Sequence, residues 1–129
     1  MTETFFARVG GEPFFRALVD DFYQGVVTDP ILAPMYPAED LAGANERLRL
    51  FLIQYWGGPE TYSEQRGHPR LRMRHLPFKV DAAARDAWLQ HMLAAVELRE
   101  LPSELHDELV TYLVQVAHFL MNTEPEPES

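Results

Sequence analysis

The sequence contains no cysteine, and this absence excludes more chemistry than any other. Without a thiol the chain can form no disulfide, ligate no iron–sulfur cluster and use no cysteine nucleophile, and any prosthetic group must be held without a bond to sulfur of cysteine. The phosphate-binding G-x-x-x-x-G-K-[ST] loop, the dinucleotide fingerprint, the H-E-x-x-H zinc motif and the EF-hand loop are absent too. No histidine follows an acidic residue by three positions, as carboxylate-bridged di-iron sites require.

Basic residues and long apolar runs are also scarce. Eleven Lys and Arg stand against 20 Asp and Glu, and the net charge of -9 disfavours nucleic acid as a partner. The longest mainly apolar stretch, residues 109–121, is shorter than the roughly 20 residues of a membrane span. The N-terminus lacks the basic region and apolar run of a signal peptide. We therefore expect a soluble, cytoplasmic protein with no membrane partner.

The size and composition favour one compact domain. The chain has 129 residues, of which 47% are hydrophobic, and this is enough for one substantial core. The last six residues read EPEPES, and alternating proline and glutamate cannot build a core. The sequence predicts a single domain over residues 1–123 and a disordered acidic tail over residues 124–129.

Apolar residues recur at helical spacing in four stretches, and none alternates like a long half-buried strand. In the first stretch the apolar face consists of Phe15, Leu18, Val19, Phe22, Tyr23 and Val26. A second helix is predicted over about residues 40–56, a third after the capping residue Asp81, and a fourth from Pro102 and Ser103. Prolines 30, 34 and 37 predict a bent connection that fixes Tyr36 in a tight turn.

The stretch 66–79, RGHPRLRMRHLPFK, is strongly cationic within this acidic chain. It holds five of the 11 Lys and Arg residues, two of the five histidines and no acid. Such a stretch indicates a site for an anionic partner that also needs an imidazole, and a haem with its two propionates fits. Pro69 suits a first helical position, so we predict a short helix over residues 69–75 with Leu71 and His75 on one face.

A longer pattern surrounds this stretch. Residues 56–78 read WGGPETYSEQRGHPRLRMRHLPF, and they combine with a Gly-Gly at 10–11, an FY at 22–23, a YP at 36–37 and DAWL at 86–89. Together these motifs resemble the group II truncated haemoglobins, the O type of actinobacteria, over about residues 5–122. The resemblance implies an all-α truncated globin, a two-over-two helical sandwich around haem b.

The resemblance also implies roles for individual residues. His75 matches the proximal ligand of the iron, and is the one metal ligand expected. Tyr23, Tyr36 and Trp88 match the polar residues over the opposite, distal face. Ala44 stands where many globins place a distal histidine, so that contact is missing here.

Further matching positions are expected to contact the haem itself. The apolar walls would be Leu48, Phe51, Leu71, Phe78 and Met92, with Tyr62 also in contact. Cations able to meet the propionates are Arg66, Arg74 and Lys79, whereas Arg70 and Arg72 are expected to form only a solvated surface.

Elementary chemistry agrees with these assignments. An iron-ligating imidazole needs a second-shell acceptor, and the backbone carbonyl of Leu71 lies four residues before His75. A diatomic ligand that gains negative charge is stabilised by hydrogen-bond donors in a dry pocket. By pattern alone, however, ordinary core packing is the favoured explanation for Tyr23 and Trp88, and only the resemblance reverses that preference. His91, His106 and His118 belong to no recognisable constellation and are predicted to be structural.

Three functions remain open at this point. The first is a haem protein that binds and transports O2, and binds other diatomics such as CO and NO, at a five-coordinate iron. The second is a redox enzyme that consumes bound O2 or peroxide, as in nitric oxide dioxygenation, with electrons from an unidentified reductase. The third is a helical interaction domain whose basic patch docks an acidic partner, which salt would disrupt. A homo-oligomer is compatible with the first two.

Overall fold

The computed structural model describes residues 3–67 and 80–121, and all regular structure within these two ranges is helical. The helices, numbered in chain order, are α1 (Phe5–Arg8), α2 (Glu12–Val26), α3 (Leu41–Tyr55), α4 (Thr61–Arg66), α5 (Ala82–Glu97) and α6 (Ser103–Leu120). Two short 3₁₀ turns, Ala33–Met35 and Ala38–Asp40, connect α2 to α3. The prediction of an all-α chain is confirmed.

Several predictions fall outside these two ranges. They are the helix over residues 69–75, the tail over residues 124–129, and the haem-contact residues Leu71, Arg74, His75, Phe78 and Lys79. The four predicted long helices correspond to α2, α3, α5 and α6. Helices α1 and α4 were not predicted, because four and six residues are too few to show an apolar period.

Helix α2 is the central element of the core. Five residues of its apolar stripe, Phe15, Leu18, Val19, Phe22 and Val26, are fully buried, and Tyr23 is 8% exposed. The helix packs against both α3 and α5, and α5 packs in turn against α6. The result is two pairs of helices joined through α2 and α5, which is the arrangement expected of a two-over-two sandwich.

The helix ends follow the residues that the sequence offers. Asp81 caps α5, because its carboxylate accepts a hydrogen bond from the backbone N–H of Ala84 at 2.9 Å. Helix α3 ends before Gly57, which adopts a φ of 100° and lies so close to Thr4 that an added Cβ would approach the Thr4 Cβ to 2.6 Å. Glycine is therefore required where the chain leaves α3 and meets the start of α1.

Within the two described ranges, no helix is both long enough and apolar enough to cross a lipid bilayer.

Removal of the α5 cap should destabilise the fold measurably. We expect Asp81→Ala to lower the free energy of unfolding by about 1 kcal/mol, because the N–H of Ala84 loses its acceptor. Urea unfolding monitored by circular dichroism measures this loss. Glu108→Ala, at an exposed position inside α6, is the matched control and should change stability by less than about 0.5 kcal/mol. Equal midpoints for the two variants would show that the cap is not stabilising.

Candidate functional site

Four aromatic rings from three elements meet on the inner side of α2. The Tyr23 and Tyr36 ring centroids are 5.5 Å apart in an edge-to-face arrangement. The ring of Phe22 contacts Tyr23 at 5.0 Å and Trp88, on α5, at 5.6 Å. Edge-to-face packing of this kind orients rings as well as burying them. The fully buried Phe22 thus fixes Tyr23 and Trp88 relative to each other, while Tyr36 completes the cluster from the connection.

The sequence predicted that Tyr23, Tyr36 and Trp88 are neighbours at one site, and the structure brings the three side chains together. No group in the described part of the chain hydrogen-bonds the hydroxyl of Tyr23, the hydroxyl of Tyr36 or the indole N–H of Trp88. Tyr23 is 8% exposed, and Tyr36 and Trp88 are partly buried. The three donors have no partner among the described residues, so they are available to a small polar ligand.

Both phenols are protonated near neutral pH, and burial extends this state to higher pH. Loss of solvation raises the pKa of Tyr23 far above its usual value, and the neighbouring Tyr36 raises it further. Loss of solvation also raises the pKa of Tyr36. Because neither hydroxyl ionises near neutral pH, each retains an O–H that can donate a hydrogen bond.

Helix α3 supplies an apolar wall beside this cluster. Ala44, Leu48 and Phe51 follow one another at intervals of four and three residues, so they share a face, and all three pack against the core. Phe51 contacts Tyr62 of α4 with ring centroids 5.8 Å apart, and Tyr62 is buried. On α5, Met92 is fully buried one turn after Trp88. The predicted apolar contacts that can be located therefore lie on the inner surfaces of α3, α4 and α5.

An apolar cavity of about 120 Å³ opens next to the aromatic cluster. Tyr36 and Trp88 line it together with Leu32 and with Val116 and Leu120 of α6. The two α6 residues were not predicted as part of the site. The signal that could have identified them is their spacing of four residues on the apolar face of α6, although core packing produces the same spacing.

A second and more polar groove, of about 310 Å³, lies between α3 and α4. Arg47, Tyr62 and Arg66 are among the residues that line it. The Arg47 guanidinium pairs with Asp40, with Nη2 and Oδ2 2.6 Å apart. Arg66 was predicted as a cation of the site, whereas Arg47 was missed. Arg47 follows Ala44 by three residues and therefore lies on the same face of α3, and this spacing could have identified it.

The charges of the groove act on both neighbouring acids and phenols. The hydrogen bond from Arg47 holds the pKa of Asp40 below its usual value, and the Arg66 charge contributes in the same direction. The Arg47 charge also opposes the rise in the pKa of Tyr23. The groove is therefore electrostatically connected to the aromatic cluster, and the guanidinium groups of Arg47 and Arg66 line it together with the carboxylate of Glu46.

Comparison with known proteins places this geometry in context. A model of the bacterial-like globin family matches residues 4–122. Group 2 truncated hemoglobin YjbI of Bacillus subtilis is 41% identical over 120 residues, which cover 92% of this chain and 90% of the relative. The structure of a thermostable hemoglobin from Thermobifida fusca is 57% identical with a TM-score of 0.91, covering 98% of this chain and 100% of that one. A truncated oxygen-avid haemoglobin from Bacillus subtilis is 38% identical with a TM-score of 0.87, covering 93% and 100%.

The ion pair at the groove predicts a dependence of stability on pH. The pKa of Asp40 is lower in the folded chain than the ordinary value of 3.8, so the pair stabilises the fold above that value and loses its contribution as the pH falls through the folded pKa. We expect Asp40→Asn to reduce the free energy of unfolding at pH 6, and we expect the difference from the wild type to shrink as the pH falls below 3.8. Unfolding by urea across this range measures both. Glu39→Gln, at an exposed neighbouring position, is the control, and equal pH dependence of all three proteins would contradict the prediction.

Proposed function

This chain is a group II truncated haemoglobin, and we propose that it holds haem b through His75 and reversibly binds O2 and other diatomic ligands under Tyr23, Tyr36 and Trp88. Family membership implies haem and the binding of small ligands to it. The observation that carries the finer proposal is the cluster of three hydrogen-bond donors without partners in the described part of the chain. They converge from α2, α5 and the connection between α2 and α3.

The described residues fit a haem. A porphyrin needs apolar surfaces against its faces and cations near its propionates. Leu48 and Phe51 supply an apolar wall on α3, and the buried Tyr62 extends it. Arg47 and Arg66 line the polar groove beside this wall, and guanidinium groups pair well with carboxylates. We assign propionate binding to these two arginines, together with the predicted Arg74 and Lys79.

The cofactor would supply one coordination position for a diatomic ligand, and the protein would determine how long the ligand stays. Tyr23 and Tyr36 stay neutral, so their O–H groups can donate to a ligand that has gained negative charge. Trp88 can donate only, through its indole N–H. Ala44 provides no donor, so the phenols and the indole replace a distal histidine. A reductase is part of the proposal, because reversible O2 binding requires ferrous haem.

The number of donors indicates retention of the ligand more than rapid delivery. If each donor contributes about 1 kcal/mol, two or three together slow O2 release by roughly ten- to a few-hundred-fold. The Bacillus subtilis relative described as oxygen-avid is consistent with this direction.

Replacement of the proposed proximal ligand should abolish haem retention. We expect His75→Gly to lose the Soret absorption band on gel filtration of the haem-reconstituted protein, because a haem without its axial imidazole keeps only its apolar and propionate contacts. His68→Gly removes the other histidine of the cationic stretch and should keep the band. A Soret band of wild-type position and intensity in His75→Gly would assign the ligand to another residue.

Replacement of one distal donor should accelerate O2 release. We expect Trp88→Phe and Tyr36→Phe each to increase the O2 dissociation rate about fivefold, the factor that corresponds to the loss of about 1 kcal/mol. Stopped-flow displacement of O2 by CO measures the rate.

Tyr112→Phe is the matched control for these variants. Tyr112 lies on α6 and stacks on Tyr55, with centroids 4.0 Å apart, outside the distal cluster. Its replacement should leave the rate unchanged. A wild-type rate in Trp88→Phe or Tyr36→Phe would remove that residue from the set of ligand-binding donors.

A further inference from the structure

We propose that His91 is a positioning residue for the distal pocket, which acts through Asp29 to fix the turn that carries Tyr36. The proposal rests on the ligand-binding role given to Tyr36 above. It concerns a pair that the sequence did not connect, because His91 and Asp29 lie 62 positions apart.

The contact joins α5 to the connection between α2 and α3. The Nε2 of His91 lies 2.6 Å from the Oδ2 of Asp29, and the two side chains are only 21% and 12% exposed. A carboxylate can only accept hydrogen bonds, so the Nε2 must carry the proton and donate. A short, poorly solvated hydrogen bond to a charged acceptor is among the stronger ones in proteins. The hydrogen bond from His91 is also the main reason that the pKa of Asp29 lies below its usual value.

Asp29 in turn organises the backbone of the turn. Pro34 has no N–H, so the six residues 31–36 contain five backbone donors. Three of the five end on Asp29. Its Oδ1 accepts from the N–H of Ile31 at 2.7 Å and of Leu32 at 3.2 Å, and its backbone carbonyl accepts from Ala33 at 2.8 Å. A single residue therefore satisfies most of the turn's donors.

The remaining two donors extend this order to Tyr36. The N–H of Met35 donates to the carbonyl of Leu32 at 2.9 Å, and the N–H of Tyr36 donates to the carbonyl of Ala33 at 3.1 Å. Leu32 and Ala33 are themselves bonded to Asp29. A shift of the Asp29 carboxylate would therefore move the backbone that presents the Tyr36 phenol to Tyr23 and to the cavity.

Gly25 fixes the other side of the imidazole. A Cβ built on Gly25 would lie 2.3 Å from the Nδ1 of His91, far inside any real contact distance. The ring therefore lies directly on the backbone of α2, and it leaves no room for a side chain there. His91 also follows Trp88 by three residues on α5, so the same helix carries one distal donor and anchors the turn of another.

The first test replaces the imidazole and follows the turn directly. His91→Leu removes the donor, and His91→Gln restores an N–H at similar reach. We expect hydrogen exchange of the Ile31 and Leu32 amides, measured by NMR on the full chain, to be at least tenfold faster in His91→Leu and near wild type in His91→Gln. Unchanged exchange at these two amides in His91→Leu would overturn the proposal.

The second test asks whether the effect reaches the ligand through Tyr36. In the haem-loaded protein we expect His91→Leu to accelerate O2 dissociation, up to the roughly fivefold effect of Tyr36→Phe. In the double variant with Tyr36→Phe, His91→Leu should add nothing further. A full additional effect in the double variant would overturn the route through Tyr36 and indicate a general loosening of the fold.

Two further variants separate positioning from loss of any histidine–carboxylate pair. Gly25→Ala should displace the imidazole without changing either partner, and it should reproduce His91→Leu although alanine favours the helix. His106→Leu is the matched control, because His106 Nε2 pairs with Glu97 at 2.5 Å between α6 and α5, away from the turn. His106→Leu should leave both readouts unchanged. Effects on the Ile31 and Leu32 amides as large as those of His91→Leu would overturn the assignment.

The readouts distinguish failure of this proposal from failure of the proposed function. A wild-type O2 dissociation rate in Tyr36→Phe would contradict the ligand-binding role of Tyr36. It would also contradict the proposal that His91 affects the bound ligand through Tyr36. Hydrogen exchange at Ile31 and Leu32 would still report whether His91 holds the turn, because that measurement needs no bound ligand.

Discussion

The packing of α2 against α5 is the contact on which the rest of the structure depends. Helix α2 presents a continuous stripe of fully buried residues, and Phe22 within it touches both Tyr23 and Trp88. The same helix approaches α5 so closely at Gly25 that a histidine ring fills the space a side chain would need. Interiors packed at this density transmit displacement because they contain few voids. Packing of the core therefore sets the position of Tyr23 relative to Trp88, which are two of the proposed donors.

Burial has two effects at the same residues. It stabilises the fold by removing aromatic surface from water, and it raises the pKa of Tyr23 and Tyr36, so both keep their O–H hydrogen-bond donors to a higher pH than a free phenol would. A hydroxyl in a dry pocket is costly unless it finds a partner. The hydroxyls of Tyr23 and Tyr36 have no partner among the described residues, so a small polar ligand beside them would gain their hydrogen bonds.

The long helices were predictable because their apolar residues repeat over several turns, as in α2, and because Asp81 and the Gly57–Gly58 pair mark clear ends. Helices α1 and α4 were not, since neither is long enough for a period. The aromatic cluster was assigned through the resemblance of motifs such as DAWL, because periodicity alone treats Tyr23 and Trp88 as ordinary core. The hydrogen bond between His91 and Asp29 could not be predicted from the sequence, because no local pattern indicates a contact between residues 62 positions apart. Arg47 could have been predicted from the sequence, because it follows Ala44 by three residues and therefore lies on the same face of α3.

The connection between α2 and α3 has a consequence for the unfolded chain as well. Pro30, Pro34 and Pro37 restrict φ at three of eight successive residues before any tertiary contact forms. Less conformational entropy is then lost when this segment becomes ordered, and residues that precede proline are biased toward extended geometry, as Tyr36 is. The rings of Pro34 and Pro37 thus restrict the backbone on both sides of Tyr36 before the chain folds. On heating, this segment should become disordered at a higher temperature than a loop of equal length without prolines.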